Sequence, residues 1–189
     1  MRKLLFTIVL SIISMAAFAQ EEHMTFMGIP MNGPVNSFVQ KLQKKGMTHF
    51  DKREGTIGLK GRFATYNDCT IIVYENKGNV SSVAVMFPEQ NSWNSVTNRY
   101  YSLQSMLVEK YGTPKTIEYF SNGDPGYDYL RINALQHDEC FFASEYYTSK
   151  GNIILSMVKG MDYNTASVCI IYRDGMNTED SRKAMMDDL

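Results

Sequence analysis

Two apolar stripes at helical spacing, each followed by a train of short strand-like runs, constrain this chain more than any other feature. The first stripe lies in PVNSFVQKLQKKG, where Val35, Phe38, Val39 and Leu42 repeat at i, i+3, i+4 and i+7. Pro34 suits the first turn, Lys44 and Lys45 suit the last, and Gly46 can close it. The second lies in SWNSVTNRYYSLQSMLVEKYGTP, with Trp93, Val96, Tyr100, Leu103 and Leu107 on one side. Ser92 can cap this helix, and Gly112 with Pro114 stops it. A helix with one apolar face must lie against something.

The covering surface is read as sheet. THFDKR, TIGLKGRFATY, CTIIVYE and NVSSVAVMF follow the first stripe; KTIEYFS, YDYLRINALQ, ECFFASEYYT, NIILSMVKG and ASVCIIYRD follow the second. They are rich in Val, Ile, Tyr, Phe and Thr and broken by Gly, Asn and Asp, the pattern of strands and turns. In NVSSVAVMF, Val83, Val85 and Phe87 share one face, and Ser82, Ala84 and Met86 share the other. Asp68-Cys69 before Lys77-Gly78-Asn79 is echoed by Glu139-Cys140 before Lys150-Gly151-Asn152. The expected fold is α+β: two tandem units of a helix plus a four-stranded antiparallel meander, over residues 20–90 and 91–175, with one extra strand at the end. Both helices pack on one face of the sheet, and a polar tail follows from residue 176.

The first residues, MRKLLFTIVLSIISMAAFAQ, place Arg2 and Lys3 before an apolar run that closes on Ala17-Phe18-Ala19. Charged start, apolar middle and small residues at the cut are the plan of a secretory signal peptide over residues 1–19. The chain is then exported, to the periplasm or beyond the cell, with no transmembrane segment after cleavage. About 170 residues remain, enough to bury a core without staples. Lys and Arg total 19 against 20 Asp and Glu, scattered along the chain, so no basic stripe marks a nucleic-acid or anionic-lipid surface. The odd number of cysteines, Cys69, Cys140 and Cys169, leaves one unpaired in any monomer, and simple strand order keeps all three apart.

The helix-plus-meander unit in tandem resembles the secreted β-lactamase inhibitor proteins. The openings MTFMGIPMNGPVNSFVQKLQKKG and LVEKYGTP are similar to those of small exported domains of bacterial envelopes. The inhibitor resemblance implies two sheets joined into one curved surface that grips a partner. It covers topology alone, so no functional residue and no β-lactamase target carries over.

Catalytic chemistry is sparsely represented. His137-Asp138-Glu139-Cys140 gathers an imidazole, two carboxylates and a thiol, and reads as the start of a strand. His137 and Glu139 then share a face with Phe141 and Ala143; Asp138 and Cys140 share the other with Phe142 and Tyr146. That alternation parts the thiol from the imidazole. His23 or His49 could reach Cys140 only through the fold. No paired zinc ligands, no Gly-x-Ser-x-Gly, no His-Glu-x-x-His and no Gly-rich phosphate loop occur, so no metal or cofactor is expected. Asn122 to Asp128 lacks the ligand ladder of a calcium loop.

Among the 12 tyrosines, those around YFSNGDPGYDY stand out. Tyr119, Phe120, Tyr127 and Tyr129 flank a Gly/Pro/Asp turn, where aromatic rings cannot all reach a core and binding residues concentrate. Alternation gives Tyr127 and Tyr129 a shared fate. The functional expectation is a non-catalytic module that binds a protein or envelope ligand through its sheet or these loops. A hydrolase with a spatially assembled site and an envelope scaffold are the alternatives. The intact mass of the exported protein should correspond to a chain beginning near Gln20, and a mass retaining Met1 to Ala19 would refute the signal.

Overall fold

The computed structural model describes residues 23–177 and residue 186; the signal segment 1–19 and most of the tail from 178 onward lie outside the described residues. The chain opens with a small hairpin, β1 (Thr25–Phe26) and β2 (Ile29–Pro30), turned by Met27 and Gly28. Both turn residues have positive φ, 51° and 73°, as a two-residue type I′ turn requires. Helix α1 (Val35–Lys44) follows and buries Val35, Phe38, Val39 and Leu42. Its end is a Schellman motif: Gly46 N–H donates to Gln43 O at 2.9 Å and Met47 N–H to Leu42 O at 3.2 Å. Gly46 carries the φ of 91° that this cap needs.

Strands β3 (Thr48–Arg53), β4 (Thr56–Phe63), β5 (Tyr66–Asn76) and β6 (Asn79–Met86) then run as an antiparallel meander. Helix α2 (Trp93–Tyr111) buries Trp93, Val96, Tyr100, Leu103 and Leu107, the stripe read from sequence. Ser92 occupies the N-cap without making a side-chain cap bond. Asp128, brought in from the next helix, instead accepts from Trp93 N–H at 3.0 Å. A carboxylate at a helix N-terminus satisfies a free donor and complements the helix dipole.

After β7 (Lys115–Phe120) comes a departure from expectation that leaves four strands after α2, with no extra strand at the end. YDYLRINALQ forms helix α3 (Asp128–Gln136), where a strand is expected. Its Leu, Arg, Ala and Gln are good helix formers, and Ile132, Ala134 and Leu135 turn toward the core. The Tyr127–Tyr129 alternation suggests a strand, but burial of one helical side decides the outcome. Strands β8 (Cys140–Thr148), β9 (Gly151–Lys159) and β10 (Ala166–Asp174) complete the chain of strands, and Gly175 to Asn177 are helical.

The main sheet has eight strands in the order β3-β4-β5-β6-β10-β9-β8-β7. The first meander meets the last strand, β6 pairing with β10 through Val85↔Ile170 and Val83↔Tyr172. The Cys–Lys-Gly-Asn echo falls on β5 and β8, which are not equivalent in this order. β5 is one strand from the junction and β8 is two.

The helices cover one face. Ile71, Val73, Val83, Val85, Ile153 and Leu155 alternate along their strands and are wholly inaccessible. The same face carries Ser144, buried on β8, whose Oγ lies 2.8 Å from Tyr100 Oη, 2.7 Å from Gln104 Nε2 and 3.1 Å from Thr116 Oγ1. These bonds tie α2 to β8 and β7 beneath the apolar layer. At the other end, buried Asp174 accepts from Met24 N–H at 2.6 Å and Asn177 N–H at 3.0 Å, with His23 Nδ1 at 3.0 Å, holding the two ends of the described chain together. Ser144→Ala should cost about 1–3 kcal/mol in urea unfolding, because Tyr100 Oη loses a buried partner. Adding Tyr100→Phe should recover part of that loss, since the orphaned hydroxyl goes too; strictly additive costs would refute the network.

Candidate functional site

An antiparallel sheet with one covered face ordinarily turns a polar face to water. Here the second face is apolar across its centre, and among the described residues no helix packs on it. The register sets its rows. One runs Gly58, Ile72, Ala84, Ile171, Ile154 and Glu145 across β4, β5, β6, β10, β9 and β8. The next runs Met86, Cys169, Ser156, Ala143 and Ile117 from β6 to β7. Beside it stand Val158 and the Phe141–Tyr119 pair, whose ring centroids are 6.2 Å apart. Cys169, Ser156 and Ala143 are small, whereas Ile171 and Ile154 flank them on one side and Val158 and Phe141 on the other. The result is a shallow trough crossing the strands. Phe141 is 45% and Tyr119 51% exposed, so the trough ends in rings held in water.

The rim is polar. Arg173 and Asn152 pair across β10 and β9. Glu145 accepts from Tyr147 Oη at 2.5 Å and from Asn152 Nδ2. These bonds, Tyr147 first, hold the Glu145 carboxyl below its ordinary range and raise the Tyr147 phenol. Toward β3, Phe50 lies over Gly58, where an added Cβ would come within 2.9 Å of its ring. Lys60 Nζ sits 5.5 Å from the same ring.

The four aromatic residues singled out in the sequence do not form one site. Tyr119 belongs to the open face. Phe120 points the other way and packs on Trp93 and Phe142, with centroids 5.5 and 5.6 Å away, so it is a core neighbour. Tyr127 and Tyr129 stand at the start of α3, both about two-thirds exposed, with ring centroids 6.3 Å apart. They share a fate, but because a helix begins there and not because of strand alternation. The turn before them is pinned by Asp124, which accepts from Arg131 Nε and Nη2 at 2.7 Å each and from Gly126 N–H at 3.0 Å. That bidentate pair holds the Asp124 carboxyl down at about 2. A small cavity of about 230 Å³ lies behind the turn, lined by Phe120, Pro125, Leu130 and Ala134 with Asn133 and Glu139.

The residues of the open face carry no ring-and-turn signature in the sequence, unlike Tyr119, Phe120, Tyr127 and Tyr129. Their signal is a different one: IIV in β5, IIL in β9 and CII in β10 are apolar at consecutive positions, so both faces of those strands are apolar there.

The acid, base and thiol of the His137–Cys140 segment are not assembled for catalysis. The strand begins at Cys140, later than its expected start. His137 ends α3 and its Nδ1 hydrogen-bonds Asn133 O at 2.9 Å, while Asp138 has a φ of 58°. Cys140 turns into the core with Phe142 and Tyr146. His23 is engaged with Asp174, and His49 lies on β3, at the opposite end of the sheet from β8. All three cysteines are free and buried, with β9 between β8 and β10. Among the described residues no group of three or more His, Cys, Asp or Glu is placed to hold a metal ion, and no helix is long and apolar enough to cross a membrane. Comparison with known protein families, curated proteins and solved structures found no match.

Burial pushes the Cys140 thiol up to about 11 and the Cys169 thiol up to about 12. An unfolded thiol ionises near about 8.5. The folded protein therefore holds protons that the unfolded chain releases. This contribution to stability is complete below about pH 8.5 and is lost as pH rises through 11 to 12. Iodoacetamide at pH 8 should leave the native thiols unlabelled and label all three after denaturation without reductant. Rapid native labelling of Cys140 would show an exposed, activated thiol instead.

Proposed function

We propose that this chain is an exported, non-catalytic binding module whose open sheet face receives an apolar protein surface. The observation that carries the reading is the central patch of Ile72, Ile171, Ile154, Val158 and Phe141 on the face that the helices leave bare. Apolar residues massed on one exposed surface and rimmed by polar groups are the mark of an interaction site. The trough supplies shape, and Tyr119, Tyr147 and Phe141 supply rigid rings of the kind enriched at contact surfaces. The buried thiols and the scattered histidines supply no competing catalytic arrangement.

Export rests on the charged start, apolar run and Ala17-Phe18-Ala19 of the first residues. A tandem origin for the two halves is part of the same proposal. What supports it is sheet order: α1 precedes β3 to β6, α2 precedes β7 to β10, and the two sets meet at their last strands. The layout is similar to that of the secreted β-lactamase inhibitor proteins, with α3 as an addition to the second unit. Tyr127 and Tyr129 stand at the start of α3 and not on the sheet, and serve as a control.

Ile171→Lys places a charge at the centre of the patch on a half-exposed strand position. It should shift stability by no more than about 1 kcal/mol and abolish capture of a partner from envelope extract. Tyr127→Ser should leave both capture and melting temperature unchanged. A partner retained by Ile171→Lys but lost by Tyr127→Ser would move the site to the loop. Covalent labelling of the native protein by a serine- or thiol-directed activity probe would favour a hydrolase.

A further inference from the structure

The two outer strands of the sheet are built differently. β3 is interrupted by a bulge between His49 and Asp51, and charged Asp51, Lys52 and Arg53 follow. β7 runs without a break from Lys115↔Glu145 to Phe120↔Cys140. Bulges and charge are what keep an edge strand from pairing with another chain. β3 has both. β7 has only Lys115 and Glu118, with Ile117 46% and Tyr119 51% exposed.

The phase of the β7 ladder follows from one bond. Ser121 N–H donates to Glu139 O at 2.8 Å. Hydrogen-bonded and non-hydrogen-bonded positions alternate in an antiparallel pair. Lys115, Ile117 and Tyr119 therefore turn their backbone groups inward to β8, and Thr116 and Glu118 turn theirs outward. Among the described residues no strand lies beyond β7 to receive them.

We propose that β7 is a self-pairing edge: two copies of this chain join β7 to β7, antiparallel, about a two-fold axis at Ile117. Registers that slip by one residue would put opposite faces together, so only same-face registers are open. Centring on Glu118 sets it against the partner's Glu118, and directly opposed like charges are destabilising. Centring on Thr116 brings Pro114, which has no N–H, against the partner's Glu118. Centring on Tyr119 calls on Phe120 O, which already accepts from Gly123 N–H at 3.3 Å.

Centring on Ile117 avoids all three faults. Thr116 and the partner's Glu118 exchange both of their outward backbone bonds, and symmetry repeats the exchange. Ile117 meets the partner's Ile117 at a close, non-hydrogen-bonded position. Lys115 stands against the partner's Tyr119, a cation beside a ring. This self-complementarity of β7 favours a second copy over a foreign strand. The pairing makes one continuous sheet whose open faces lie on the same side. It does not depend on what occupies those faces.

Sedimentation equilibrium of the purified protein, without any ligand, tests the pairing. The wild-type mass should rise with concentration to twice that of one chain. Ile117→Lys opposes two cations on the axis and should return the mass to one chain with unchanged circular dichroism. Ile117→Cys gives an independent readout, because Cα atoms at such a position lie about 4.5 Å apart, within the roughly 4.4–6.8 Å of disulfides. It should crosslink to a dimer under mild oxidation. Lys115→Cys should not, since its counterpart lies roughly 14 Å away, four residues along at about 3.4 Å each. A single-chain mass at every concentration overturns the proposal. So does a dimer that survives Ile117→Lys, or one that Lys115→Cys crosslinks as readily as Ile117→Cys. Because no partner is present in either measurement, failure here leaves the open-face reading standing, and loss of partner capture leaves this one.

Discussion

The pairing of β6 with β10 joins the two halves of the sheet, and most of the architecture depends on it. Its register, from Cys169↔Met86 to Arg173↔Ser82, aligns Ile170 and Tyr172 with Val85 and Val83 on the helical face. The same register aligns Cys169 and Ile171 with Met86 and Ala84 on the open one. A slip of one residue would exchange the faces of every strand beyond the junction. The halves would then bury opposite sides, and neither helix layer would be continuous. Contacts this distant in sequence bring their closure entropy before their reward, so this junction is also where slow folding is expected.

Once the junction is set, the helices complete one core. α1 lies over β5 and β6, and α2 lies over β8 to β10. Trp93, Phe120 and Phe142 form an aromatic cluster under the start of α2, with Trp93 edge-on to Phe142 at 5.3 Å. Buried polar atoms are matched on both sides of the sheet: Ser144 with Tyr100, Gln104 and Thr116 under the helices, and Ser167 on the other face, its Oγ donating to Phe87 O at 2.5 Å. A low-dielectric interior makes such bonds strong when complete and costly when broken. That is a reason for the buried hydroxyls to sit where several partners converge.

One-sided coverage has a consequence for function. Among the described residues, helices α1 to α3 leave one sheet face uncovered, where Ile72, Ile154, Ile171 and Val158 are partly exposed and the smaller Ala84, Cys169 and Ser167 are buried between their neighbours. In a sheet built for water alone, those positions would be Thr, Lys and Glu. Here Ile72, Ile154, Ile171 and Val158 occupy the middle, and charged residues such as Arg173 stand toward the rim. Keeping apolar side chains on a wetted face sacrifices hydration free energy, and a surface that a partner covers recovers it. The edges extend the same contrast, a bulged and charged β3 at one end and a regular β7 at the other.

Helices α1 and α2 and their buried residues were legible in the sequence because a single apolar stripe at a 3.6-residue period admits one orientation. The strands around them were legible because β-branched and aromatic runs between turn residues have few other uses. α3 was not, since Tyr127, Tyr129 and Ile132 mix two periods in nine residues, and tertiary burial of Ile132 and Leu135 breaks the tie. The cap of α2 was also hidden: Ser92 has the right chemistry, but Asp128 arrives from 35 residues away. The aromatic loop divided in the same way, Tyr119 and Phe120 falling on opposite faces as neighbours in a strand must. Local spacing settles which side chains share a face. Only strand order decides which face the helices cover, and with it whether a row of isoleucines becomes core or wetted surface.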